Sequence, residues 1–63
     1  MRCEIMIDGP LPAGRESDLP GLSPGERDGH IVLTGEVVDE AQLFGHLARL
    51  DEMGLRALEV TTS

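Results

Sequence analysis

Apolar and polar residues alternate through "RCEIMID", Arg2 to Asp8, with Cys3, Ile5 and Ile7 on one side and Arg2, Glu4, Met6 and Asp8 on the other. Period-two alternation with β-branched residues predicts a half-buried strand over 2–8. "HIVLTGEVV", His30 to Val38, predicts a second strand whose Ile31 and Leu33 match the face of Ile5 and Ile7. Gly35 inside it marks a bulge or a close backbone approach. "LRALEVTT", Leu55 to Thr62, predicts a third strand with Leu58 and Val60 turned inward. Residues 9–29 have no such period. They hold all the prolines and many of the glycines, and they read as a long loop that Leu19 and Leu22 could pin to the core. Asp28-Gly29 closes that loop as a turn.

Between the second and third strands the period changes to that of a helix. Leu43, Leu47 and Leu50 fall on one stripe, with Phe44 and Met53 on its flanks, and residues 40–53 are expected to be helical. Asp39 is the expected N-cap. Gln42, three residues on, can reach back as in a capping box, and Glu40 places negative charge at the positive end of the helix dipole. Gly54 fits the left-handed position after the helix, followed by a contact between Leu55 and Leu50 as in a Schellman motif. The outward stripe is unusual for a helix in water: Ala41, Gly45 and Ala48, with Glu52 below them. Glycine in a helix interior costs about 1 kcal/mol relative to alanine. Small residues at this spacing allow close approach, so Ala41, Gly45, Ala48 and Glu52 are the candidate interface.

These elements make a single α+β domain over residues 1–63. The expected fold is a small, reduced ferredoxin-like β-(loop)-β-α-β unit: a three-stranded antiparallel sheet with one helix on one face. The helix links strands two and three as a right-handed split crossover, and the first strand fits antiparallel into the gap. A chain of 63 residues buries only about 60 per cent of the surface its unfolded form exposes, so a partner is the natural way to complete the core.

Composition removes several functions. Twelve acidic against five basic residues give a net charge of −7, which repels nucleic acid and anionic lipid. No run is long and apolar enough to span a membrane, and nothing resembles a secretion signal, so cytoplasmic residence is the expectation. A single cysteine, Cys3, excludes an internal disulfide and lies on the inward face of its strand as a small apolar residue. His30 and His46 have no metal-ligand spacing with Cys3 or with each other and read as surface or edge residues. No phosphate-binding glycine motif is present, and neighbouring carboxylates such as Asp39-Glu40 and Asp51-Glu52 do not face one cleft. Neither catalysis nor a cofactor nor a metal is expected.

"VLTGEVVDEAQLFGHLARLDEMGLRALEV", Val32 to Val60, resembles a widespread type of short actinobacterial protein with the pattern L-T-G-x-(L/V)-x-D-(Q/E)-x-x-L-x-G-x-L and a later D-x-G-L-x-L-x-x-V. Leu33, Thr34, Gly35, Asp39, Leu43, Gly45, Leu47, Arg49, Leu50, Gly54, Leu55, Leu58 and Val60 carry the match, and "RCEIMIDGPL" resembles the start of such proteins. The resemblance implies no assigned activity. His46 stands where the pattern is usually apolar, and Pro20 and Pro24 break the segment that is often helical in similar proteins. The expected function is a non-catalytic protein–protein interaction module, either a homo-oligomer, most simply a homodimer, or an accessory subunit of a larger protein. The alternatives are a ferredoxin-like domain that binds a regulatory small molecule, and an acidic antitoxin or nucleic-acid mimic.

Overall fold

A computed structural model describes residues 1–63. Its strands are β1 (Arg2–Ile7), β2 (Leu22–Arg27), β3 (His30–Glu36) and β4 (Ala57–Thr62), and the single helix α1 (Glu40–Glu52) joins β3 to β4. The sheet is four-stranded, in the order β2-β3-β1-β4. Every neighbouring pair is antiparallel. The expected three-stranded sheet is therefore one strand short. The missing strand is β2, which lies inside the expected loop of residues 9–29.

Its composition explains why it is hard to see. "LSPGER" contains Pro24 and Gly25, and only Leu22 at its start is buried. Pairing with β3 makes it a strand: Asp28 and Gly29 both have positive φ, 54° and 81°, the tight turn of a two-residue hairpin. From there Arg27 faces His30 and Leu22 faces Gly35. Ahead of β2 the chain makes one 3-10 turn, Glu16–Asp18, and then buries Leu19 completely.

Gly35 has a definite steric cause. A Cβ built there would overlap the carbonyl of Gly21. The segment entering β2 crosses against β3 at this point, and only a residue without a side chain admits it.

The ends of α1 match the sequence reading closely. The Asp39 carboxylate accepts from the Gln42 N–H at 3.0 Å, and the Gln42 side-chain oxygen accepts from the Val38 N–H at 2.6 Å. Gly54 has φ of +79°; its N–H bonds to the Asp51 carbonyl, while Leu55 N–H bonds to the Leu50 carbonyl, both at 2.9 Å. Those are the two bonds of a Schellman motif.

One face of the sheet carries the core. Cys3, Ile5 and Ile7 from β1, Leu33 from β3, Leu22 from β2 and Leu19 pack with Leu43, Leu50, Val37 and Leu55. The opposite face is open, though not wholly wet. Val32 is buried there beside half-buried Met6, and the Arg27 guanidinium donates to the Glu4 carboxylate at 2.6 Å close by.

Candidate interaction surface

Twelve of the 63 residues are buried, a core too small to cover both margins of the sheet. Four strands about 4.8 Å apart are wider than one helix of about 10 Å diameter. The side chains of α1 show where the cover falls. Leu43, His46 and Leu50 are buried, whereas Leu47 and Met53 are only partly so. Leu19 and its neighbours fill in over β2 and β3. Nothing fills in over β4, and every one of its residues is exposed.

Leu58 and Val60 were expected to be inward. Val60 does sit beside Ile5 on the helix-bearing face, but it is 41 % exposed and Leu58 is 49 % exposed, against 0 % for Ile5. Leu58 is also the extra residue of a bulge, because Met6 faces Glu59 and Ile7 faces Ala57. Phe44, the one aromatic residue, is 59 % exposed. It lies roughly 160° around the helix from His46 at 100° per residue. His46 borders the Asp18–Pro20 segment, and Phe44 lies on the flank of α1 turned away from it.

The two outer strands differ in how they meet solvent. β2 carries Pro24, Gly25, Glu26 and Arg27, which blunt an edge against pairing. β4, "ALEVTT", has no proline or glycine and a single charge, Glu59. Its outward main-chain groups can be read from the ladder. Arg2 and Ser63 exchange both of their bonds at 3.0 Å, so Ser63 and, by alternation, Thr61 and Glu59 turn their N–H and C=O toward β1. Val60 and Thr62 turn theirs outward.

The interface residues expected from the sequence, Ala41, Gly45, Ala48 and Glu52, do share one exposed face of α1. A Cβ at Gly45 would meet nothing within 4 Å, so no part of this chain requires the glycine. Ala41 and Ala48 stand three before and four after Phe44, the positions that neighbour it on a helix. Their small size leaves the ring uncovered.

His46 was expected at the surface and is instead 4 % exposed. Its Nε2 is buried with no hydrogen-bond partner, and burial pushes its pKa below the ordinary histidine value. The sequence signal was available: His46 falls between Leu43 and Leu50 on the buried stripe. It also borders an open groove of about 250 Å³ with Asp18, Pro20, Gln42, Gly45 and Arg49. His30 is exposed, as expected. Cys3 is 1 % exposed, and burial raises its thiol pKa first of all, with Glu36 adding to the shift. A thiol so placed is a poor nucleophile. No three His, Cys, Asp or Glu side chains come together as metal ligands, and no helix is long and apolar enough to cross a membrane.

A small α+β domain of one helix on a four-stranded antiparallel sheet is the class that this geometry defines. By sequence the chain belongs to the family described as Domain of unknown function (DUF8691), matched over residues 2–61. No curated protein and no solved structure matches it.

Proposed function

We propose that this protein is a small, non-catalytic interaction module that binds another protein chain by adding a strand along β4. Its plan is ferredoxin-like: the strand order and the β3-α1-β4 crossover over β1 fit a βαββαβ unit whose first helix has shrunk to the Glu16–Asp18 turn. The carrying observation is the β4 edge, where the outward main-chain groups of Val60 and Thr62 run along a strand whose Leu58 and Val60 side chains are exposed. Strand addition supplies affinity through the main chain and specificity through alternate side chains. The added strand belongs to a second copy in a homo-oligomer, or to a larger protein that this chain serves as an accessory subunit.

The test compares a tagged parent with Val60→Lys in pull-downs from the native host and in sedimentation. Lysine on an edge strand blocks pairing. The variant should keep its circular dichroism spectrum and lose whichever protein the parent retains, its own copy included. Equal retention by both chains would sink the β4 reading.

The groove beside His46 favours a second reading, a ferredoxin-like domain that binds a regulatory small molecule. Its lining is wholly polar apart from Pro20 and Gly45. A metabolite panel should then raise the melting temperature of the parent and leave that of Gln42→Ala/Arg49→Ala unchanged; no shift with any metabolite argues for the docking module. An acidic antitoxin or nucleic-acid mimic rests on the net charge alone.

A further inference from the structure

We propose that the segment from Pro10 to Gly21 is a strap over the core that lifts when His46 takes up a proton, so that mild acid uncovers the apolar face that Leu19 closes. The device works whether or not β4 is paired.

The strap is bonded to itself and not to the scaffold. Arg15 N–H donates to the Pro12 carbonyl, Asp18 N–H to that of Arg15 and Leu19 N–H to that of Glu16, at 3.0–3.1 Å. Its ion pair, Arg15 with Asp18, is internal as well. A last bond, from Leu22 N–H to the Leu19 carbonyl at 3.2 Å, closes the turn into β2. None of these bonds reaches β1, β3 or α1. Burial of two leucines holds the strap down. Leu19 is 1 % exposed, and half-buried Leu11 packs against the same cluster. Lifting the strap therefore breaks no ladder and no helix bond. Segments with few buried apolar contacts are the ones that open below the free energy of global unfolding.

His46 supplies the trigger. It is 4 % exposed, its Nε2 has no partner, and Asp18 and Pro20, on either side of Leu19, line one groove with it. A neutral ring is tolerated there. A protonated ring adds a charge and a further donor that nothing inside satisfies. The surrounding groups do not compensate. Asp18 is already engaged by Arg15, Glu16 of the strap is exposed, and Arg49 on the same helix is a like charge. The sheet under the helix presents Cys3, Ile5, Ile7, Leu22 and Leu33; of these the Cys3 thiol alone titrates, and burial keeps it neutral. Glu26, on the same face, is exposed toward the far end of β2. Burial is accordingly the cause of the His46 shift, with no charge contributing. Water is the remaining partner for the second N–H, and the strap is the part of the cover that yields without breaking the sheet. As pH falls through about 6.5, the ordinary histidine value, the lifted state binds the proton and the closed state does not, so the balance moves toward lifting.

Two measurements test the coupling. The first is amide hydrogen exchange by NMR, corrected for the intrinsic effect of pH. Between pH 7 and pH 5 the Asp18 and Leu19 amides should lose protection by about tenfold or more, the gain expected when an opening frees a histidine of ordinary pKa. They should be less protected than the amides of β1 at both pH values. His46→Leu should hold the strap amides within about twofold over that range. Strap protection that does not change with pH, that falls equally in His46→Leu, or that equals that of β1 overturns the proposal. The second keeps His46 in place and follows its ring protons in a His30→Gln background, so that a single imidazole reports. Leu19→Ala loosens the strap and should raise the His46 midpoint by roughly half a unit or more, with the circular dichroism spectrum unchanged. A midpoint that stays where the parent has it would show that the strap does not govern the ring.

Discussion

At the scale of single residues, His46 and Gly45 have opposite relations to their surroundings. A neutral imidazole with an unpartnered Nε2 is tolerated in the core; an imidazolium there would bury a charge without compensation. Its folded pKa lies below the unfolded value, so the unfolded chain takes up the proton first as pH falls. The neutral-His contribution to stability is therefore complete above about 6.5, the unfolded pKa, and is lost as pH drops through that value toward the folded one. His46→Leu should remove this acid-side decline, which denaturant midpoints at about pH 7 and pH 5 would show as a smaller gap in the variant. An unchanged gap would mean that folding leaves the His46 pKa where it is in the unfolded chain. Gly45 offers a simpler measurement. Its missing Cβ leaves empty space, so Gly45→Ala should stabilise the single chain by about 1 kcal/mol through helix propensity. Weaker self-association in the same variant would mark the Ala41–Gly45–Ala48–Glu52 face as a contact. Gly35 cannot be treated the same way. Gly35→Ala collides with backbone, and a loss on the order of 1–3 kcal/mol is expected from chemical denaturation.

At the scale of elements, the helix and β2 show what a sequence can and cannot announce. Both ends of α1 are local. Asp39, Gln42, Gly54 and Leu55 lie within reach of the groups they satisfy, and all four take the positions read from the sequence. Asp39→Ala should cost about 1 kcal/mol, whereas Glu52→Ala, whose Arg49 partner lies at 3.9 Å on the surface, should change the midpoint little. Equal losses would contradict the cap. β2 is not local. Its strand character comes from the β3 ladder, and Pro24 and Gly25 argue against it in isolation; only the Asp28-Gly29 turn announced a hairpin. The β4 edge was half legible. Its alternation showed which side chains share a face, but exposure depends on how far one helix reaches across four strands, a property of the assembled sheet. His46 was legible on the stripe and misread by its polarity.

At the scale of the whole molecule, stability and assembly are one property if β4 pairs with a copy. The melting temperature should then rise with protein concentration, because association binds only the folded chain. Val60→Lys should melt at one temperature across the same range. A parent whose melt is independent of concentration would separate the fold from any self-association.

The placement of β1 governs when folding can happen. Ile5 is flanked by Leu33 on one side and Val60 on the other, so this inner strand is made before either of the strands that pair with it. During synthesis it has no partner to pair with, and the β2–β3 hairpin, closed by its own turn, can form before it is used. Such distant pairings slow folding relative to a helical chain of equal length. The emerging "CEIMI" segment therefore spends its early life as an uncovered apolar strand, competing between its own sheet and any other strand nearby.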